Sequence, residues 1–344
     1  MPFANVQLAK VEQIHFRKGG DYMADDQFVY AVARIRAKEL TLLDNAFFDQ
    51  LMAAKSYKEC LQLLSDKGWG RTGEESAEEL LSVEREKTWD LMGELVSDLS
   101  IFNTFLYDND FHNLKAAIKQ VYVGEEVPNI YISRGTIQPE IIYNGVKQHD
   151  FSLLPEHMKA CAEEAYQVQL HTGDSQLCDV IIDRATLETI YAKAKETGNE
   201  LLIKYAELKV VAADIMIAIR GNRTGKGKEF FARAMVDCAS LDKNRLIEAA
   251  LTDEEAIYDY LSTTIYADAV LSMKESSAAF EKWCDNLIIK NIKPLKYDSF
   301  SMSPLAAFIL ARENEIKSVR ILLSGKLNNL PDEFIRERLR EMYV

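Results

Sequence analysis

The residues most suggestive of chemistry form a glycine-rich, basic segment at 221–228, which reads Gly-Asn-Arg-Thr-Gly-Lys-Gly-Lys. Glycine-rich loops that carry a lysine can hold phosphate groups through their backbone N–H donors. A phosphate loop of the Walker type needs a second glycine five positions after the first, and then lysine followed by serine or threonine. Lys226 stands where that second glycine should be, and no strand is predicted before the segment. The sequence therefore predicts an exposed loop between helices rather than a nucleotide site.

Other candidate metal ligands and nucleophiles are scattered along the chain. Glu12 and His15 form a single Glu-x-x-His pair, whereas a di-iron bundle needs two such pairs and further glutamates. Neither a Cys-x-x-Cys pair nor a His-Glu-x-x-His or Gly-x-Ser-x-Gly motif is present. The thiols lie in apolar helical runs, which predicts buried, reduced side chains; they are Cys60, Cys161, Cys178, Cys238 and Cys284. We therefore expect no catalytic residue, no metal site and no cofactor.

The charge and hydropathy of the chain limit its partners. Its 344 residues include 54 acidic and 41 basic side chains, which gives a formal net charge of −13. Such a chain is repelled by phosphate backbones, so nucleic acid is not an expected partner. The longest uninterrupted apolar run, Leu305–Ala311, is far shorter than the ~20 residues that a membrane span requires. No signal peptide is visible at the N-terminus, and we expect a cytoplasmic protein without a membrane span.

Apolar residues repeat with helical spacing through most of the sequence. Leu201, Leu208, Ile215 and Ile219 belong to one stripe whose members are three or four positions apart, which is typical of a helix face. Only 15 glycines and 7 prolines are present, which argues against a fold built from many tight hairpins. The fold class predicted from these patterns is all-α, and the best candidate for a strand is the segment 129–137.

Local signals mark where several of these helices begin and end. Capping boxes are predicted at three places, each just before an apolar run: Ser56–Glu59, Thr72–Glu75 and Thr252–Glu255. Proline followed by acidic residues indicates first helical turns at Pro139, Pro155 and Pro331. Gly68 and Gly70 are expected to end the helix that carries Leu61 and Leu64.

A weak internal repeat suggests three similar units. In each unit an aspartate opens a long helical stretch and a basic residue closes it, over Asp90–Lys119, Asp179–Arg220 and Asp285–Arg320. A polar or glycine-containing stretch and a short apolar segment then follow. The predicted domains are 1–110, 111–214 and 215–344, with the C-terminal helix in the third. Any amphipathic helical chain can show such echoes, so chance similarity is the alternative.

Several stretches resemble the C subunit of the archaeal and bacterial V-type (A/V-type) rotary ATPases, the counterpart of the eukaryotic V-ATPase d subunit. They are Tyr30–Glu39, Asp110–Lys115, Glu313–Lys317, Gly325–Asn328 and Ile335–Val344. No single stretch is a chemical signature, but their order, their spacing and the shared C-terminal ending are specific together. The middle of the chain, about 120–310, matches more loosely.

The resemblance implies a fold and a place in a complex. It implies three similar helical domains around a pseudo-threefold axis, in the shape of a funnel. It also implies a non-catalytic central-stalk adapter that couples the rotating shaft, made of the D and F subunits, to the membrane rotor ring of proteolipid subunits. The chain would then be cytoplasmic and peripheral to the membrane, and the family brings no catalytic residue and no cofactor.

Arginines in the closing helices and at the C-terminus are the best candidates for contacts with acidic partners, because a guanidinium binds a carboxylate through two parallel hydrogen bonds. They are Arg34, Arg36, Arg220, Arg320, Arg336, Arg338 and Arg340. The alternative for each is that it neutralises a glutamate of its own helix, as the series Glu333, Glu337 and Glu341 would allow.

Two other functions stay open on sequence alone. One is a helical-repeat scaffold that binds other proteins outside a rotary motor. The other is an enzyme whose site is assembled from scattered carboxylates and the 221–228 segment.

Overall fold

The computed structural model describes residues 28–71, 76–125 and 127–344. Of these residues 76% are helical and none forms a strand, so the predicted all-α fold class is confirmed. The predicted capping box at 72–75 and the Glu12–His15 pair lie outside the described residues.

Sixteen α-helices follow one another in this part of the chain. They are α1 (Val29–Glu39), α2 (Asn45–Ala53), α3 (Tyr57–Asp66), α4 (Ala77–Leu95), α5 (Tyr107–Val123), α6 (Pro139–Gln148), α7 (Glu156–Thr172), α8 (Ser175–Thr197), α9 (Glu200–Arg223), α10 (Lys228–Ala234), α11 (Lys243–Thr252), α12 (Glu254–Ser262), α13 (Ala269–Glu275), α14 (Ser277–Ile292), α15 (Ser303–Leu327) and α16 (Asp332–Arg338). Short 3-10 helices occupy Leu99–Phe105, Phe151–Leu153 and Lys293–Tyr297.

Most of the predicted helix ends are correct. Ser56 caps α3 by accepting the backbone N–H of Glu59 at 3.2 Å. Pro139 is the first residue of α6, and Pro155 and Pro331 directly precede α7 and α16. Gly68 follows α3 with a φ of +90°, a left-handed conformation that glycine adopts without steric cost.

The capping box predicted at Thr252–Glu255 places the N-cap one residue too early. Asp253 caps α12 by accepting the N–H of Ala256 at 2.8 Å. Thr252 is still the last residue of α11, and its hydroxyl donates to the Glu248 carbonyl at 3.0 Å. The two helices therefore meet at an aspartate, which is among the strongest N-caps.

The strand candidate at 129–137 is also wrong, because this segment is irregular. Its backbone finds partners in side chains of α5 instead of a neighbouring strand. The Asn113 amide accepts the N–H of Ile132 and donates to the carbonyl of the same residue, both at 2.8 Å. Asn109 donates to the Arg134 carbonyl at 2.7 Å. The apolar pattern of the segment thus reflects packing against α5.

A buried carboxylate on each of the long helices α5, α9 and α15 accepts backbone N–H groups from a segment distant in sequence. Asp110 accepts from Thr136 at 2.9 Å, Asp214 accepts from Val236 at 3.2 Å, and Glu315 accepts from Leu43. Burial raises the pKa of all three carboxyls, and it raises those of Asp214 and Glu315 to about 7. These bonds satisfy backbone donors of irregular segments that no helix supplies with acceptors.

Buried apolar residues form three clusters joined by the long helices. One cluster contains residues of α1 and of α4 to α9 together with the first half of α15, and a second surrounds the last half of α9 with α10 to α14. The third joins residues 43–81 to residues 316–342. The third cluster thus unites segments of the first and third predicted domains. The domain boundaries and the pseudo-threefold axis stay predictions.

The C-terminal residues 339–344 cross several elements and are held by side chains. Arg340 pairs with Asp285 of α14 at 2.8 Å, and Asn314 of α15 donates to the Glu341 carbonyl at 2.9 Å. The Tyr343 hydroxyl donates to Glu39 of α1 at 2.9 Å. This segment therefore ties the first helix of the described chain to α14 and α15.

The Asp214 carboxyl gives a prediction about stability and pH. Its pKa of about 7 in the folded chain lies above the ordinary value of 3.8, so between about pH 4 and 7 the folded state binds more protons than the unfolded state. The contribution of this group to stability therefore falls as the pH rises through that window. Asp214→Asn keeps an oxygen acceptor for the Val236 N–H but carries no charge, and it should remove this part of the decline.

Urea unfolding at pH 5 and pH 7.5 measures the effect, with Asp214→Ala as the matched control. The alanine variant leaves the Val236 N–H without its acceptor, so we expect it to be less stable at pH 5 by about 1–3 kcal/mol. An asparagine variant with the same pH dependence as the parent chain would contradict the assignment.

Candidate interaction surfaces

A cleft of about 530 Å³ lies where α4, α8, α9, α14 and α15 meet. Its lining includes Arg85, Leu187, Lys209 and Lys317, which come from all three of the predicted domains. The walls combine apolar side chains with charged groups, as ligand clefts and protein-binding clefts both do. Residues of all three predicted domains therefore meet in this concave feature.

The cations that line the cleft already have ion-pair partners within the chain. Arg85 donates to both carboxylate oxygens of Glu313, at 2.8 and 3.0 Å. Lys317 pairs with Asp285 at 2.6 Å, and Lys209 pairs with Asp108. The cleft therefore offers a balanced polar surface rather than a pocket of one sign, and these paired cations are not free to bind anions.

Two of the seven predicted interface arginines serve the fold. Arg36 donates to the carbonyls of Leu295 and Asp298, at 2.6 and 2.9 Å, and pairs with Glu39. Arg340 is buried against Asp285. Neither guanidinium is free to bind a partner, because both are committed to contacts within the chain.

The other five arginines are wholly or partly exposed, and three of them are paired across helices. Arg34 lies 3.5 Å from Glu94, Arg320 lies 2.9 Å from Glu78, and Arg336 lies 2.8 Å from Asp49. These partners come from other helices, so the alternative of pairing within one helix fails for all three. Among the described residues, Arg220 and Arg338 have no ion-pair partner. Their role at an interface stays a prediction.

The loop predicted at 221–228 is shorter in the structure. Helix α9 continues to Arg223, and only residues 224–227 form the turn before α10. Gly221 is helical and lies against the ring of Phe231, where an added Cβ would come within 2.3 Å of Cε1. Close packing therefore explains this glycine, and the segment does not form a phosphate loop.

The thiols are poor nucleophiles. Burial raises the pKa of Cys161 and Cys284 to about 12 and that of Cys178 to about 11, which leaves very little thiolate at neutral pH. Across the described ranges, no group of three or more histidine, cysteine, aspartate or glutamate side chains is arranged to hold a metal ion.

Sequence reasoning missed a buried ionic network between α4 and α15. Arg312 pairs with Glu315 at 2.5 Å and with Glu84, and it lies over the Trp69 ring at 5.0 Å. Glu84 also accepts the N–H of Gly70 at 2.9 Å. The signal for Arg312 was its place at the end of the seven-residue apolar run, where a charged side chain needs a buried partner.

The geometry defines an all-helical protein with a cleft, lined by paired charges, where five helices meet. The family model of the ATP synthase (C/AC39) subunit matches residues 31–338, so the chain belongs to that family. The C subunit of the V-type sodium ATPase of Enterococcus hirae is 24% identical over 90% of this chain and 97% of its own length. The C subunit of the V-type ATP synthase of Thermus thermophilus is 26% identical over 92% and 99%. The C subunit of the A-type ATP synthase of Methanocaldococcus jannaschii is 24% identical over 91% and 86%.

Family membership makes this chain a component of a rotary ATPase, in which members of this family are non-catalytic subunits. In the part of the chain that the structure describes, no helix combines the length and the apolar character needed to cross a membrane.

The buried network predicts that alanine substitutions at two arginines of α15 lower the free energy of unfolding by very different amounts. Arg312→Ala leaves Glu315 buried without its cation and leaves Glu84 with Lys87 as its remaining ion-pair partner. At pH 8 it should lower the free energy of unfolding by about 3–5 kcal/mol. Arg320→Ala removes an exposed pair and should cost less than about 1 kcal/mol. Guanidinium unfolding of both variants is the measurement, and equal small losses would contradict the structural role of Arg312.

Nucleotide binding should be absent from the isolated chain. Calorimetric titration with magnesium and ATP should show no saturable heat, because the 224–227 turn lacks the Walker spacing and Lys226 contacts Gln176 and the Phe230 ring. A saturable signal that Lys226→Ala abolishes would contradict this expectation.

Proposed function

We propose that this chain is a central-stalk adapter of a rotary ATPase, which couples the rotating shaft of D and F subunits to the membrane rotor ring of proteolipid subunits. The observation that carries the proposal is the family match over residues 31–338. The cleft between α4, α8, α9, α14 and α15 adds a concave surface at the junction of the three predicted domains. A cleft of this size can receive a few side chains of a shaft.

The packing suits a part that transmits torque. Closely packed helices are little compressible, and the buried carboxylates of α5, α9 and α15 fix irregular segments to them. The Arg312 network and the C-terminal segment add cross-links between distant parts of the chain. An adapter built in this way turns as one body.

The ring would be reached through its exposed loops, so the chain would lie at the cytoplasmic face of the membrane as a peripheral subunit.

We further propose the three-unit arrangement with domains 1–110, 111–214 and 215–344 around a pseudo-threefold axis. Superposition of the long helices of the three units tests that arrangement.

Exposed arginines are the proposed charged contacts of this adapter, namely Arg34, Arg220, Arg320, Arg336 and Arg338. Arg36 and Arg340 belong to the internal structure. Reversing the charge of either would test folding and not partner binding. Because exposed pairs are screened by salt, contacts made by the five should weaken as the ionic strength rises.

Co-purification tests the adapter role. A tagged shaft pair should retain the detergent-solubilised rotor ring only when this chain is present, because the chain is the proposed link between them. The control is the same mixture without the chain. Retention of the ring by the shaft alone, or a chain that binds neither partner, would contradict the proposal.

A further inference from the structure

The cleft where α4, α8, α9, α14 and α15 meet has a largely apolar wall. Leu187, Leu208 and Leu310 line it as buried residues, and Ala212 and Ala213 of α9 line it half-buried. Larger apolar side chains at the two alanines would fill the space between the helices, as close packing ordinarily does. The alanines instead leave about 530 Å³ open, a volume within the range of small-molecule sites.

The charged groups around this wall already have partners. Glu313 accepts two hydrogen bonds from Arg85, at 2.8 and 3.0 Å. Asp285 lies 2.6 Å from Lys317 and 2.8 Å from Arg340. An ionic ligand would have to compete with these internal partners, whereas a neutral molecule leaves every pair intact. The charges of the cleft therefore favour a neutral occupant.

One buried acceptor in the wall has no donor. Asn314 of α15 lines the cleft and is 8% exposed. Its Nδ2 atom donates to the Glu341 carbonyl at 2.9 Å, which fixes the orientation of the amide, because only the nitrogen can donate. The Oδ1 atom is buried and accepts no hydrogen bond from the described chain. A buried acceptor without a donor is costly, so this atom favours an occupant that brings an N–H or O–H group.

We infer that the cleft binds a small neutral molecule with a mainly apolar body and one N–H or O–H donor, which bonds to the Asn314 Oδ1. The apolar wall selects the body, the paired charges disfavour ions, and the free acceptor selects the donor. This site goes beyond the proposed function, which assigns no small molecule to the chain. Side chains of the shaft are proposed to enter the same cleft, so a bound molecule would exclude them, and this last step rests on the adapter role.

Indole and benzofuran are matched probes for the site. Both are neutral bicyclic molecules of nearly the same shape, and only indole has an N–H donor. Titration of the full chain with each probe, followed by ligand-observed NMR, measures the two dissociation constants. We expect indole to bind saturably and about three- to tenfold more tightly than benzofuran, which is the difference that one hydrogen bond makes. No saturable binding of indole, or equal affinity for the two probes, would overturn the inference.

Substitutions locate the binding in the cleft. Ala212→Trp places a large side chain in the open space and should abolish binding of both probes. Its matched control is Ala278→Trp, at an exposed alanine of α14 that does not line the cleft, and it should retain both. Ala213→Trp replaces the first variant if circular dichroism shows that Ala212→Trp does not fold. Binding of indole that survives in a folded cleft-filling variant would contradict the location.

Asn314→Leu tests the acceptor separately from the cleft. It removes the Oδ1 atom and should make the affinities for indole and benzofuran equal. The variant also loses the bond to the Glu341 carbonyl, but the ratio of the two affinities within one variant does not depend on that loss. A preference for indole that persists in Asn314→Leu would contradict the role of this residue.

Competition with the shaft pair tests the last step. At an indole concentration about ten times its dissociation constant, the affinity of the chain for the shaft pair should fall about tenfold, as mass action requires when binding is mutually exclusive. Benzofuran at the same concentration should have a smaller effect. An unchanged affinity would overturn the exclusion of the shaft. A chain that binds indole but not the shaft pair would overturn the adapter role and support the small-molecule site, so the two failures are distinguishable.

Discussion

The structure depends on buried carboxylates that accept backbone N–H groups from irregular segments. Helices satisfy their own backbone, but the stretches between them do not, and a buried N–H without an acceptor costs free energy. Asp110, Asp214 and Glu315 supply acceptors from α5, α9 and α15. Their placement fixes where residues near 136, 236 and 43 lie against the long helices. This burial has a cost, because it disfavours the ionised carboxylate. The pKa of each of the three carboxyls is therefore raised.

This constraint agrees with the function that the family implies. Buried polar groups are committed here to holding segments together, as are the pairs of Arg312 with Glu84 and of Arg340 with Asp285. The groups left for partners lie at the surface, in the cleft and at exposed helix ends such as that of α9, where Arg220 has no ion-pair partner among the described residues. Such a structure suits a non-catalytic subunit of a rotary ATPase.

The sequence predicted what local patterns control and missed what distant contacts control. The stripe from Leu201 to Ile219 identified a helix, and Pro139 and Gly68 marked ends, because spacing and backbone preference act within a few residues. Arg36 was proposed for an interface, yet its partners are carbonyls 259 and 262 positions away in the chain. The 129–137 segment was a strand candidate because the side-chain amides that bind its backbone are not visible as a local pattern. Among the arginines proposed for an interface, Arg220 is exposed, as an interface requires, whereas Arg340 is buried. The sequence could not show the burial of Arg340, because its partner lies 55 positions away in the chain.

The central claim is that this chain links rotation of the head to the membrane ring while doing no chemistry itself. The most direct measurement is ATP-driven ion transport in vesicles by the complete rotary complex, reconstituted with and without this chain, beside ATP hydrolysis in the same samples. The account predicts that omission abolishes transport while the head continues to hydrolyse ATP, and that adding the purified chain restores transport. Undiminished transport without the chain, or loss of hydrolysis by the isolated head when the chain is absent, would contradict it.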